Sequence, residues 1–236
     1  MIEVVNRRVT LGLMIVGLVP SLAVTYLLVS EYRRQREGLA REWSDRGANE
    51  LASNPAGAVL DFQTALTYGQ GTASDRLHLG EALVRAHRPV EAEAQFLTLW
   101  TDAPGDGQTN LDLAHLAESR GDVPAAVRYL HGAIDGAWQT GGTSARRAAR
   151  LEAARLLLST GQKISAQAEL IPLIDDLPQD PAAMTDIAQL LVDAGAPNRA
   201  MPLLEKITAS APEYAAAATL AGRVAFETGD FKRARL

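Results

Sequence analysis

The chain has 236 residues, 47% of them apolar and 5% aromatic, with no cysteine and a formal charge of -5. It is long and apolar enough to bury a core, and abundant alanine and leucine beside few aromatics favour helices with small contact residues over sheets. The missing cysteines exclude disulfides, thiolate metal sites and a cysteine nucleophile. The charge is uneven: the first 41 residues hold six arginines (Arg7, Arg8, Arg33, Arg34, Arg36, Arg41) against three glutamates, so the remainder is more acidic than the whole, which argues against general nucleic-acid binding.

Residues 1–8 read as a short tail. From Val9 to Val29 the chain runs 21 residues without a charge, and a helix of that length would extend about 31 Å, enough to cross a bilayer core. This predicts one transmembrane helix over residues 9–29. A cleavable signal peptide and a buried core helix are the competing readings; against the first, Ser30, Glu31, Tyr32 and Arg33 come next instead of a small-x-small site. The pair Arg7 and Arg8 is succeeded by Val9 and Thr10, a poor fit to a twin-arginine signal. Gly17, Ser21 and Thr25 recur every fourth residue, which would place them on one face where another helix could approach closely. Pro20 should loosen the helix locally. Two arginines precede the run, and Arg33, Arg34, Arg36, Arg41 and Arg46 come after it. That excess puts the repeats on the cytoplasmic side, although a short arginine-bearing tail also begins anchors that export their C-terminal domain.

Residues 30–53 read as a basic juxtamembrane helix merging into a degenerate first repeat, and residues 54–236 as a helical repeat array. Ala58, Ala92 and Ala126 are 34 residues apart, as are Ala166, Ala200 and Ala234, with one interval of 40 between the two sets. A large apolar residue stands four positions later (Phe62, Phe96, Leu130, Leu170, Leu204), and glycines precede by five (Gly121, Gly161, Gly195, Gly229). A period of this length is the signature of stacked helical hairpins. Units are expected to start near residues 39, 73, 107, 147, 181 and 215, with six extra residues inserted near 139–146. In the clearest unit, helix A is expected over Ser74 to Ala86 and helix B over Pro89 to Trp100, where Pro89 suits a first helical turn. Pro104, Pro178 and Pro212 recur just after helix B and should stop it. The insertion is expected to divide the array into two blocks. From residue 215 only 22 of 34 positions exist, so the last repeat is incomplete; either the chain is part of a longer protein or a partner covers Phe226 and Phe231.

These residues resemble the tetratricopeptide repeat. That family places small residues where its two helices touch, a large apolar residue a turn later and a proline at the end of the unit. Leu79, Gly80, Ala92, Phe96 and Pro104 match in one unit, and Ala188, Gly195, Ala200, Leu204 and Pro212 in another. The resemblance covers roughly residues 40–236. It departs where Asp45 and Arg46 stand at the packing position of the first helix A, and where Trp138 replaces a terminal proline. The fold it implies is all-α: an α-solenoid of antiparallel helix pairs, here preceded by the transmembrane helix. It further implies a partner-binding groove along the A helices, which selects Glu81, Arg85, Gln108, Leu111, His115, Glu118, Leu151, Arg155, Thr185, Gln189 and Arg223. The subfamily that clamps carboxylates with lysine and asparagine is not matched, because Leu77, Leu111, Leu151 and Thr185 hold those positions.

No catalytic constellation is present in the sequence. His78, His87, His115 and His131 form no metal spacing, and Gly136 to Thr143 imitates a phosphate-binding loop but has Gly142 where the lysine must stand. No cofactor, metal or nucleic acid is implied. The expected function is that of a non-enzymatic, membrane-anchored scaffold that binds or helps assemble subunits of a membrane complex. The alternative is a tethered chaperone-like assembly or quality-control factor. The expected partners are protein subunits of the integral-membrane kind and the lipid bilayer itself. The resemblance and the alanine- and arginine-rich composition suggest a bacterial inner membrane, with the repeats on its cytoplasmic side.

Overall fold

The computed structural model describes residues 2–69 and 71–230, with side chains from Leu18 onward apart from Val19. The described residues form eleven α-helices: α1 (Ile2–Glu50), α2 (Pro55–Tyr68), α3 (Ala73–Arg85), α4 (Pro89–Asp102), α5 (Gly107–Ser119), α6 (Val123–Asp135), α7 (Gly142–Ser159), α8 (Lys163–Asp175), α9 (Pro181–Asp193), α10 (Pro197–Ser210) and α11 (Ala215–Glu227). The order is that of repeated helix A and helix B, with α3, α5, α9 and α11 starting at the expected unit boundaries. Aspartates cap three of the helices: Asp106, Asp122 and Asp180 accept hydrogen bonds from the backbone N–H groups of Thr109, Ala125 and Ala183. Within the pairs, Gly121, Gly161 and Gly195 turn the chain in the left-handed region that glycine enters freely, and Gly229 does so after α11. His87 takes the same conformation, with φ of 58°, at the equivalent turn after α3.

The chain forms two compact units, Met1–Phe96 and Leu97–Leu236. In the first, Ala58, Val59, Phe62, Ala65, Leu79, Ala82, Leu83, Ala92 and Phe96 are buried. The single helix α1 runs from Ile2 through the apolar run and into the basic segment as far as Glu50, and its last turns serve as helix A of the first repeat. The expectation that Asp45 and Arg46 interrupt its packing is corrected here. Gly47, one position on, lies against Phe62, and a Cβ there would come within 3.1 Å of the ring. Gly47 precedes Phe62 by 15 positions where Gly80 precedes Phe96 by 16, so the register slips by one residue. Arg46 reaches the buried Asp61, its Nε standing 3.2 Å from Oδ2. That is close enough for an ion pair but misaligned for a hydrogen bond.

In the second unit, one core cluster joins Ala114, Ala117, Ala126, Leu130, Ala149 and Ala153. Another joins Ala154, Leu170, Ile187, Leu191, Leu204 and Leu220. The division of the array at the six-residue insertion is not observed. The first cluster runs from α5 and α6 straight into α7, so packing continues across the insertion. The extra residues mostly lengthen helix A, giving α7 18 residues against 13 in α5. The rest forms a short loop fixed by Trp138, whose Nε1 donates to the Ala133 carbonyl at 2.9 Å. The ring lies against Gly107, where a Cβ would come within 2.4 Å. Backbone bonds of 2.8 Å from Ala137 to the Gly105 carbonyl and from Gly107 to the Ala137 carbonyl complete the clasp. The sequence that imitates a phosphate loop is thus a structural plug.

Among the described residues no helix is long and apolar enough to cross a membrane. Residues 9–17 and Val19 of the apolar run, Gly17 among them, lie outside the described side chains, and the unit beginning at residue 215 is described only to residue 230.

Candidate protein-binding site

The A helices of the second unit bury one stripe and present another. In α5, Leu113, Ala114, Leu116 and Ala117 are buried, and in α7, Ala149, Ala153, Ala154, Leu156 and Leu157. Helical periodicity then leaves His115 and Glu118 of α5 exposed, and Leu151, Glu152 and Arg155 of α7 partly or fully so. Between these stripes lies a cleft of about 570 Å³ lined by Glu118, Ala148, Leu151, Glu152, Arg155, Leu156 and Ser159. Three of the expected groove residues, Glu118, Leu151 and Arg155, therefore come together around one opening.

His115 belongs to the same face through Glu152, its Nε2 standing 2.9 Å from Oε1. The hydrogen bond to Glu152 is the main cause that holds the imidazole pKa above its ordinary value; desolvation opposes it, and the charges of Glu152, Asp112 and Glu118 add to the rise. Arg155 points towards the next A helix, with Nη2 3.8 Å from Asp186 Oδ2. At this distance and exposure the pair contributes little to stability.

The other expected residues are more dispersed. Leu111 is half-buried, and Gln108 donates to Asp112 of its own helix at 3.2 Å. Gln189 donates to Asp193 at 2.7 Å and accepts from Arg223 of α11. Thr185 is buried, and its hydroxyl donates to the Pro181 carbonyl at 2.8 Å, so its polar group is already used within α9. Glu81 and Arg85 lie on α3 of the first unit, Glu81 half-buried and Arg85 exposed. On α1, the Ser21 and Thr25 hydroxyls each donate at 2.8 Å to the carbonyls of Leu18 and Ser21.

Sequence reasoning misses Ala148, Glu152, Leu156 and Ser159 in the cleft. Their signal is present as the spacing of four through Ala148, Glu152 and Leu156. It is hidden because α7 begins before the expected unit boundary. His131 is exposed on α6, and Glu169 stands 3.0 Å from its Nε2 and 3.3 Å from Arg150 Nη1. This strap joins α6, α7 and α8. Among the described residues no group of three acidic or histidine side chains could hold a metal ion.

The tetratricopeptide repeat family model matches residues 191–236. No curated protein matches the sequence. Among solved structures, PilF of Pseudomonas aeruginosa is similar with 14% identity and a TM-score of 0.59, over 85% of this chain and 89% of that one. MamA is similar with 16% identity and a TM-score of 0.58, over 75% of this chain and 94% of that one. YrrB, a tetratricopeptide-repeat protein with an unusual peptide-binding site, is similar with 16% identity and a TM-score of 0.52, over 74% of this chain and 88% of that one. Together with the helix pairs and the packing of small residues under large ones, these matches identify the fold as an all-α solenoid of the tetratricopeptide-repeat type.

Proposed function

We propose that this protein is a non-enzymatic scaffold that holds a protein partner on the A-helix face of its second unit while α1 tethers it to a membrane. The observation that carries the reading is the α5–α7 cleft. Its apolar floor of Ala148, Leu151 and Leu156 is rimmed by Glu118, Glu152 and Arg155 and stays open. A floor of aliphatic side chains with charged groups at the edge is the chemistry of a peptide-docking surface, where burial supplies affinity and the rim supplies selectivity. The peptide-binding site named for YrrB is the kind of role this cleft would have.

The tether rests on the uncharged run Val9–Val29 and the arginines beyond it. The Ser21 and Thr25 hydroxyls are satisfied by their own helix, so they could enter an apolar medium without seeking other partners. The partner would then be a subunit of a bacterial inner-membrane complex, held on the cytoplasmic side.

Purification of the tagged full chain from its native membranes tests both parts. Integral-membrane subunits in fixed stoichiometry support the scaffold, whereas varied substoichiometric clients favour a chaperone-like assembly factor. Retention in the membrane pellet after alkaline carbonate washing supports the tether, and release by carbonate contradicts it.

A further inference from the structure

The charge of the α5–α7 cleft is lopsided in a way that selects a partner chemistry. Carboxylates stand on both walls, Glu118 on α5 and Glu152 on α7, above the aliphatic floor. Asp112 adds a third negative charge near His115. The Glu118 carboxylate has no hydrogen bond or ion pair among the described residues. Glu152 is engaged by His115 through Oε1, but a carboxylate offers about four acceptor sites and can take further donors. The one permanent cation of the lining, Arg155, lies on its far side towards the next A helix, with Asp186 3.8 Å away.

We propose that the cleft docks an extended segment of a protein partner in which a lysine or arginine is flanked by aliphatic side chains. The cation sits between Glu118 and Glu152, and the flanking side chains lie on Leu151 and Leu156. A lysine or arginine fits such a place twice over, because its methylene stem covers apolar surface while its head reaches the carboxylates. An acidic segment would meet the carboxylates of Glu118 and Glu152, with Arg155 and the imidazole of His115, itself held by Glu152, as the cationic groups at that face. The inference rests on the cleft being the docking surface and goes beyond it by specifying the sign of the guest.

Two labelled peptides test it by fluorescence anisotropy against the full chain: one alternates leucine with lysine, the other leucine with glutamate. The lysine peptide is expected to bind, and the glutamate peptide to bind about ten-fold more weakly or not at all. Glu118→Gln with Glu152→Gln should weaken the lysine peptide by about ten-fold, with the helical circular-dichroism spectrum and a cooperative melt retained. Equal affinity for the two peptides, no binding of the lysine peptide at millimolar concentration, or an unaltered affinity in the double variant overturns the proposal. Leu151→Trp, which fills the cleft, distinguishes the failures. Equal binding that disappears in this variant leaves the cleft as the docking surface and overturns only its preference for a cation. Binding that survives it overturns both.

Discussion

Gly80 of α3 lies directly against the ring of Phe96, so that a Cβ at position 80 would stand 2.3 Å from Phe96 Cε1. Phe96 is itself 1% exposed and has no free space to retreat into. Gly80→Ala should therefore destabilise the chain by about 1–3 kcal/mol through overpacking. Gly38, also inside a helix, has nothing within 4 Å of its would-be Cβ. Gly38→Ala should stabilise by about 0.5–1 kcal/mol, because alanine loses less backbone entropy in a helix. Denaturant melts of the two variants should shift in opposite directions. A shared direction would contradict this account of the packing.

His87 occupies the turn position that glycine holds in the four later units, at a φ of 58° against 73° to 80° for Gly121, Gly161, Gly195 and Gly229. Its backbone closes the same hydrogen bonds: the N–H of His87 meets the Val84 carbonyl at 3.0 Å, as that of Gly121 meets Glu118 at 2.8 Å. A side chain in this region is strained. His87→Gly should raise stability by about 0.5–1 kcal/mol, the relief of strain exceeding the added entropy of the unfolded chain. Gly195→Ala, which meets nothing within 4 Å, should cost about 1 kcal/mol from torsion alone. Equal melting of His87→Gly and the parent would show that the turn carries no strain.

The repeat was legible because it depends on close approach, and close approach leaves small residues at fixed spacing. Ala92, Ala126, Ala166 and Ala200 are all fully buried, at the positions the 34-residue period selects. His87 broke the series of glycines only in residue type, since the backbone conformation at that turn is kept. The insertion was legible in length but not in consequence. Whether extra residues extend a helix or open a gap depends on Trp138 finding the Ala133 carbonyl and the bare face of Gly107, and no local pattern encodes that tertiary contact. The cleft was half legible. Periodicity gave the exposed face of α7, but the link from His115 to Glu152 joins two helices across 37 sequence positions.

Trp138 holds the loop between α6 and α7. Trp138→Ala should destabilise by about 2 kcal/mol, below the range for fully buried tryptophans because this side chain is only half-buried. Trp138→Phe keeps the ring but loses the 2.9 Å bond to the Ala133 carbonyl. It should cost about 1 kcal/mol. If Trp138→Ala melts like the parent, the loop is not held by this residue.

His115 should titrate above its ordinary value of 6.5, chiefly because Glu152 accepts its hydrogen bond. A group whose pKa is raised by folding stabilises the fold while it is protonated. That contribution is complete below the unfolded value and is lost as pH rises through the raised one. The imidazole resonance of His115, tracked by NMR, should move towards the ordinary value in Glu152→Gln, and the pH dependence of stability should flatten in that variant. An unchanged titration would show that Glu152 does not hold this imidazole in solution.

Occupation of the α5–α7 cleft by a protein partner is tested most directly by in-cell photo-crosslinking, with a photoreactive residue placed at Leu151 in the cleft or at Ile164 of α8, which is 85% exposed outside it. One discrete adduct with a protein partner is expected from position 151 and none from position 164. No adduct at position 151, or the same adducts at both positions, would contradict a docking role for the cleft.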